Sequence, residues 1–408
     1  MAQAQNENLG FSDSAGNRPK EATWRGRGTH AASADTNHDE ASRMDFVMTL
    51  FRHIGRNVAP GHQTVFDKKV EPDFVKKAGR KPKDRHEVRK AMLENPYFQY
   101  WSHLRLYSQE ASYYERSQIV DRQLDALIDK AKKVPAGRKG KNDKGSLTLN
   151  PALVIPPYQA HFDMHWMPGS YFTEFTKDDV AGGAMYDTGG LYITSSGHLG
   201  AYNDGAGYAI ARYIQSKFPT FKPKRILDEG CTTGSNTVPL KDAWPQAEVH
   251  AIDIGAPVLR TAHARSEALG LAVHYSQQDA EHTNFKTGSF DLISSSMFLH
   301  ETARKAVHNI VKECYRLLSP GGIMVHVEQP PFSWAKSPFD QMTRDWDTHN
   351  NNEPFWGAMH DMDLEKVALE AGFKKENITL EMVPLVTPTE SDKYALGKGA
   401  WFVFVARK

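Results

Sequence analysis

The feature that most restricts this chain is a change of patterning at Phe221. From there to Lys408, short runs rich in Val, Ile, Leu and Phe alternate with segments of helical spacing, the order that builds a mostly parallel α/β sheet with helices on both faces. The runs at 225–228, 249–253, 272–276, 290–294, 323–327, 378–383 and 400–406 predict seven strands. Between the fourth and fifth, Val307, Ile310, Val311, Cys314 and Leu317 share one helical face. Ser319-Pro320-Gly321-Gly322 ends that helix, because proline cannot continue it and glycine supplies the turn. Leu364, Val367, Ala368 and Ala371 repeat the pattern, with Gly372 as the C-terminal cap.

The first run continues into Asp228-Glu229-Gly230-Cys231-Thr232-Thr233-Gly234. A turn lacking side chains at Gly230 and Gly234 lets a ligand approach the backbone at the C-terminal edge of the sheet, where such sheets bind ligands. Asp253 ends the next strand about 20 residues on, from where a carboxylate can bond both ribose hydroxyls of an adenosine. Asp279 follows the third strand, where it or the Ala280 backbone can read an adenine. A nicotinamide-dinucleotide fingerprint would require glycine where Thr232 stands.

On these residues the C-terminal half resembles the class I S-adenosylmethionine-dependent methyltransferases, particularly the group that includes the quinone-biosynthesis methyltransferases. Asp228, Gly230 and Gly234 match the acidic, first and last positions of that family's first motif, while Thr232 replaces its middle glycine. The segment from Phe290 to His300 matches the fourth strand and the turn after it. The resemblance implies a Rossmann-like fold and S-adenosyl-L-methionine as cofactor. It implies cofactor contacts from Asp228, Gly230, Thr232, Gly234, Asp253, Ile254, Asp279, Ala280 and Ser296. His300 and Glu301, just past the fourth strand, are expected to face the methyl group as catalytic or substrate-orienting residues.

The long aromatic-bearing segment before Leu364 and the glycine-rich stretch 192–208 are candidate substrate walls, with Tyr202, Trp346, Phe355 and Trp356 as pocket residues. His161, Asp163 and His165 are of ligating types but lack a firm further ligand, so no metal is expected.

Ahead of the sheet, three pieces are expected. Residues 1–43, poor in apolar side chains, read as a disordered tail. Residues 44–135 read as a helical region beginning with the stripe Phe46, Val47, Leu50, Phe51 and Ile54. Residues 136–220 read as linker and substrate wall, opening with an exposed loop from Ala136 to Ser146. The stripe Tyr97, Phe98, Trp101, Leu104 and Tyr107 suits core or a subunit contact, so these helices are a candidate homodimer surface. A formal net charge of +1 supplies no field toward nucleic acid or anionic membrane, and no apolar run reaches spanning length. Two cysteines, Cys231 and Cys314, outside any disulfide or metal spacing, fit a cytoplasmic location. The expected activity is methyl transfer to oxygen, nitrogen or carbon of a small metabolite. The alternatives are a non-catalytic cofactor-binding or partner-assembly protein and a protein or RNA methyltransferase.

Overall fold

The computed structural model describes residues 22–137 and 144–408. Its strands are β1 (Ser146–Thr148), β2 (Arg225–Glu229), β3 (Glu248–Asp253), β4 (His274–Gln277), β5 (Phe290–Ser296), β6 (Leu318–Glu328), β7 (Ile378–Val386) and β8 (Leu396–Arg407). They form one eight-stranded sheet in the order β1-β4-β3-β2-β5-β6-β8-β7. The pairs from β1 through β6 are parallel, and β8 runs antiparallel between β6 and β7. The seven expected strands are all present. The eighth, β1, adds only Ser146, Leu147 and Thr148 to the edge beside β4, too short a run to show a period. The expected turn at Ser319 to Gly322 is absorbed into β6 as an irregularity. There Phe290 pairs with Leu318 but Leu292 pairs with Ile323, and Gly321 takes φ 82°.

Buried on both faces, the central strands read as continuous apolar runs, and alternate residues feed two cores. On one face Ile226, Val249, Ala251, Leu292 and Val325 pack with Ile210 and Ile214 of helix Gly205–Lys217 and Leu259 of helix Ala256–Ala268. On the other, Leu227, Ile252, Ile293 and Met324 meet Val307, Ile310, Val311 and Cys314 of helix Arg304–Leu317, together with Leu364 and Val367. Gly372 caps helix Leu364–Ala371 at φ 113°, as its position predicts.

The N-terminal half is largely helical, with its longest helices at His38–His53 and Pro96–Asp121. Residues 22–43 are not a tail. Trp24 is fully buried, its indole donates to Thr188 O at 3.0 Å, and its backbone N–H donates to Asp45 at 2.7 Å. Asn37 starts helix His38–His53 with a reciprocal capping box to Glu40. One tryptophan anchor and a set of polar ties hold this strap, and neither produces a hydrophobic period. The remainder of the expected tail, 1–21, lies outside the described residues, as do 138–143 of the expected loop.

Residues 136–220 are more than a linker. They supply β1, helix Gly205–Lys217 and the short helices Ala181–Asp187 and Gly190–Thr194. Phe98 and Trp101 of the aromatic stripe are buried with Phe339, Met342 and Trp346, so the segment after β6 docks on the N-terminal helices. Among the described residues no helix is long and apolar enough to cross a membrane.

Candidate active site

The C-terminal ends of β2, β3, β4 and β5 open into a cavity of about 1160 Å³, a figure that includes its mouth. Gly230, Thr232, Asp253, Ile254, Asp279, Ala280, Ser296 and Glu301 all line it, so one edge of the sheet brings together most of the residues expected there.

The turn after β2 is built from backbone that favours glycine. Gly230 has φ 63° and Gly234 φ 82°, and a Cβ at Gly230 would collide with the Phe298 ring. Thr232, standing for the family's middle glycine, also has positive φ, 44°, and its backbone N–H donates to Asp253 Oδ2 at 3.0 Å. The other Asp253 oxygen accepts from Gly255 N–H at 2.8 Å. These two bonds orient the carboxylate and leave each oxygen with further acceptor capacity at the cavity wall. Burial pushes the Asp253 carboxyl up to about 6. Asp279 is also raised by burial, while its Oδ1 accepts from Glu281 N–H at 2.8 Å.

Asp228 and Gly234 do not line the cavity. Asp228 is fully buried and accepts from Asn236 at 2.6 Å and Thr237 at 2.5 Å, tying the turn to the helix after it.

Glu301 also lines the cavity. Its Oε1 accepts from Tyr171 OH at 3.0 Å and from His165 Nε2 at 2.9 Å, and Oε2 has no hydrogen-bond partner among the described residues. Behind it, His165 Nδ1 lies 3.0 Å from Glu353, and His300 Nε2 lies 3.7 Å from the same carboxylate. His300 Nδ1 pairs with Glu328 at 2.6 Å. Burial alone would discharge both imidazoles, but the carboxylates outweigh it. Glu353 holds His165 well above its usual range, and Glu328 lifts His300 to about 9. His165 has φ 55°, an uncommon backbone for a non-glycine residue, at the point where the chain aims its ring at Glu301.

His300 therefore departs from expectation. It is 2% exposed, lies off the cavity and faces carboxylates with both nitrogens, behind Glu301 instead of beside the cavity. The four expected substrate residues are also placed elsewhere. Trp346 packs on Trp101 and donates to Ser102 at 2.8 Å, and Trp356 packs on His300. Phe355 meets the outer edge of Tyr158, and Tyr202 lies against Gly28. The wall is formed instead by Tyr158, Gln159, Tyr171, Tyr186, Leu191 and Asn203, with Trp401 from β8. The stretch 192–208, expected as a wall, contributes Leu199, Asn203 and Ala206, but patterning does not single out the individual residues from 158 to 191, because that segment forms only short helices with no sustained period.

His161, Asp163 and His165 do not converge on one point. Among the described residues the one group with metal-ligating atoms close together is Glu229, Cys314 and His326. It lies in the core, where burial pushes Glu229 up to about 8 and His326 down to about 4, leaving both neutral at pH 7. Cys314 donates to Glu229 at 3.4 Å, and His326 is held by Ser295 at 2.7 Å.

Residues 226–322 match a family model described as a methyltransferase domain. Demethylmenaquinone methyltransferase of Thermus thermophilus is 38% identical over 109 residues, which are 27% of this chain and 49% of that protein. Ubiquinone biosynthesis O-methyltransferase of Psychrobacter arcticus is 27% identical over 42% of this chain and 67% of its own length. A solved S-adenosylmethionine-dependent methyltransferase from Methanosarcina mazei is similar with a TM-score of 0.34 at 22% identity, covering 46% of this chain and 93% of that one. The chain spans about half the length of the first curated relatives it matches. Residues 226–322, which carry β2 to β5, the start of β6 and the glycine turn, thus match a methyltransferase domain, and the relatives support the class I, S-adenosylmethionine-dependent kind.

Proposed function

We propose that the protein transfers the methyl group of S-adenosylmethionine to a nitrogen or oxygen of a small, uncharged or cationic acceptor. One observation carries this reading. The charged residues lining the cavity are Asp253, Asp279 and Glu301, with no lysine, arginine or histidine among the described lining residues. A sulfonium cation is favoured beside carboxylates and tyrosines, whereas an anionic acceptor would meet three like charges at close range.

Asp253 would hold the ribose and the Ala280 region the adenine, in the same cavity that Glu301 and the tyrosines line. The acceptor lone pair attacks the methyl carbon in line as the carbon–sulfur bond breaks, and the bonding pair stays on sulfur as a neutral thioether. An amine or hydroxyl acceptor then carries an extra proton, and the unpartnered Oε2 of Glu301 is positioned to take it. Tyr171 and His165 keep that carboxylate in one orientation.

The test is transfer of label from methyl-tritiated S-adenosylmethionine to a panel of small amines, phenols and carboxylic acids. Incorporation into amines or phenols, falling by about two to four decades in Glu301→Gln, is expected. Incorporation confined to carboxylic acids, or an unchanged rate in Glu301→Gln, would refute the reading.

A further inference from the structure

S-adenosylmethionine brings a carboxylate, yet the main cavity offers no cation to meet it. A second, smaller pocket of about 300 Å³, a figure that includes the open space at its mouth, supplies one. It shares Tyr186, Asn203 and Ser235 with the main cavity and adds Arg27, Asp187 and Arg265. The two spaces adjoin at the glycine turn, where Ser235 lines both and Thr233 lines the smaller one.

The two arginines differ in commitment. Arg265 donates to Thr233 O and Ser235 Oγ through one terminal nitrogen and to Tyr202 O through the other, so it frames the turn. Arg27 stacks its guanidinium 3.8 Å from the Trp24 ring centre and has no hydrogen-bond acceptor among the described residues. The nearby Asp187 carboxylate is already occupied by His30 at 3.2 Å and Ser33 at 3.3 Å. A half-buried guanidinium that is held against a ring, opens into a pocket and has no protein acceptor presents its donors to an anion. Its position is fixed from both sides. Trp24 is anchored to Thr188 O, and Gly28 N–H donates to Ala201 O at 2.7 Å.

We propose that Arg27 receives the amino-acid carboxylate of the cofactor, so the strap around Trp24 to Gly28 completes the cofactor site from outside the methyltransferase domain. This rests on the reading in which the main cavity takes S-adenosylmethionine. With ribose at Asp253, the amino-acid tail would reach the smaller pocket through the shared residues Ser235, Tyr186 and Asn203, where Arg27, next to Asp187, is the cation without a hydrogen-bond acceptor among the described residues.

The experiment is calorimetric titration of the full chain with two probes, S-adenosylhomocysteine and 5′-methylthioadenosine, which lacks the amino-acid end. Arg27→Gln should weaken S-adenosylhomocysteine by about 10- to 100-fold and leave 5′-methylthioadenosine within about twofold, and Arg27→Lys should recover part of the loss. Equal weakening of both probes, or S-adenosylhomocysteine unchanged in a folded Arg27→Gln protein, would overturn the proposal. If neither probe binds the wild-type protein, the underlying cofactor reading fails and this assignment falls with it. Binding of 5′-methylthioadenosine with the affinity of S-adenosylhomocysteine in the wild type would overturn the Arg27 assignment alone.

Discussion

Cofactor affinity should depend on pH through Asp253. The carboxyl is raised to about 6 in the free protein by burial, while Gly255 and Thr232 N–H donors hold it in place. Ribose hydroxyls donate, so the ionised form is the one that binds them. At pH 7.5 the group is almost wholly ionised, whereas at pH 5 only about a tenth of the molecules carry the charge. Affinity for S-adenosylhomocysteine should therefore fall about tenfold between those values, or about 1.4 kcal/mol. Asp253→Asn should lower affinity at pH 7.5 by roughly 1.5–3 kcal/mol, the worth of hydrogen bonds to a charged group, and should remove most of the pH slope. Any slope left in that variant reports Asp279, the other raised carboxyl in the cavity. The assay is titration calorimetry from pH 5 to 7.5, with thermal melts confirming that both proteins stay folded. A flat wild-type profile, or the same slope in Asp253→Asn, would refute the assignment of Asp253 to the ribose.

Glu229 sets a stability prediction with a definite sign. Its carboxyl stands at about 8 when folded against an ordinary 4.5, so between those values the unfolded chain binds fewer protons and stability falls as pH rises, by at most about 1.4 kcal/mol per unit. Glu229→Gln should flatten this slope in urea melts at pH 6 and 8, and equal slopes would contradict it. Trp24→Ala should cost about 3–5 kcal/mol in the same melts, since the ring is fully buried and its indole is hydrogen-bonded. A change under about 1 kcal/mol would mean that the strap is not anchored as described.

The sheet was legible because parallel strands buried on both faces leave runs such as those through Ile226, Ile252 and Ile293, and those runs locate the turn after each strand. Gly230, Asp253 and Ala280 follow from that topology, and Ser296 and Glu301 from the family resemblance placed on it. The partners of Glu301 do not, because His165 is 136 residues away in the chain and Tyr171 is 130. Bulk misled where it was taken for function. Trp346 and Trp356 lie in a long connection that would suit a lid, but Trp101 and His300 hold them as packing. His300 had the right position past β5 and the wrong surroundings, since Glu328 and Glu353 reach it from segments that no spacing relates to it. Likewise, the polar strap around Arg27 has a composition that resembles a tail, and its order rests on Thr188 and Ala201, far along the chain.

The most direct test of the account is a crystal structure of the full chain with S-adenosylhomocysteine. It should show both ribose hydroxyls within hydrogen-bond distance of Asp253, the adenine beside Ala280, and the sulfur on the Glu301 side of Gly230. Nucleoside bound away from Asp253, or a cofactor whose sulfur faces away from Glu301, would contradict it.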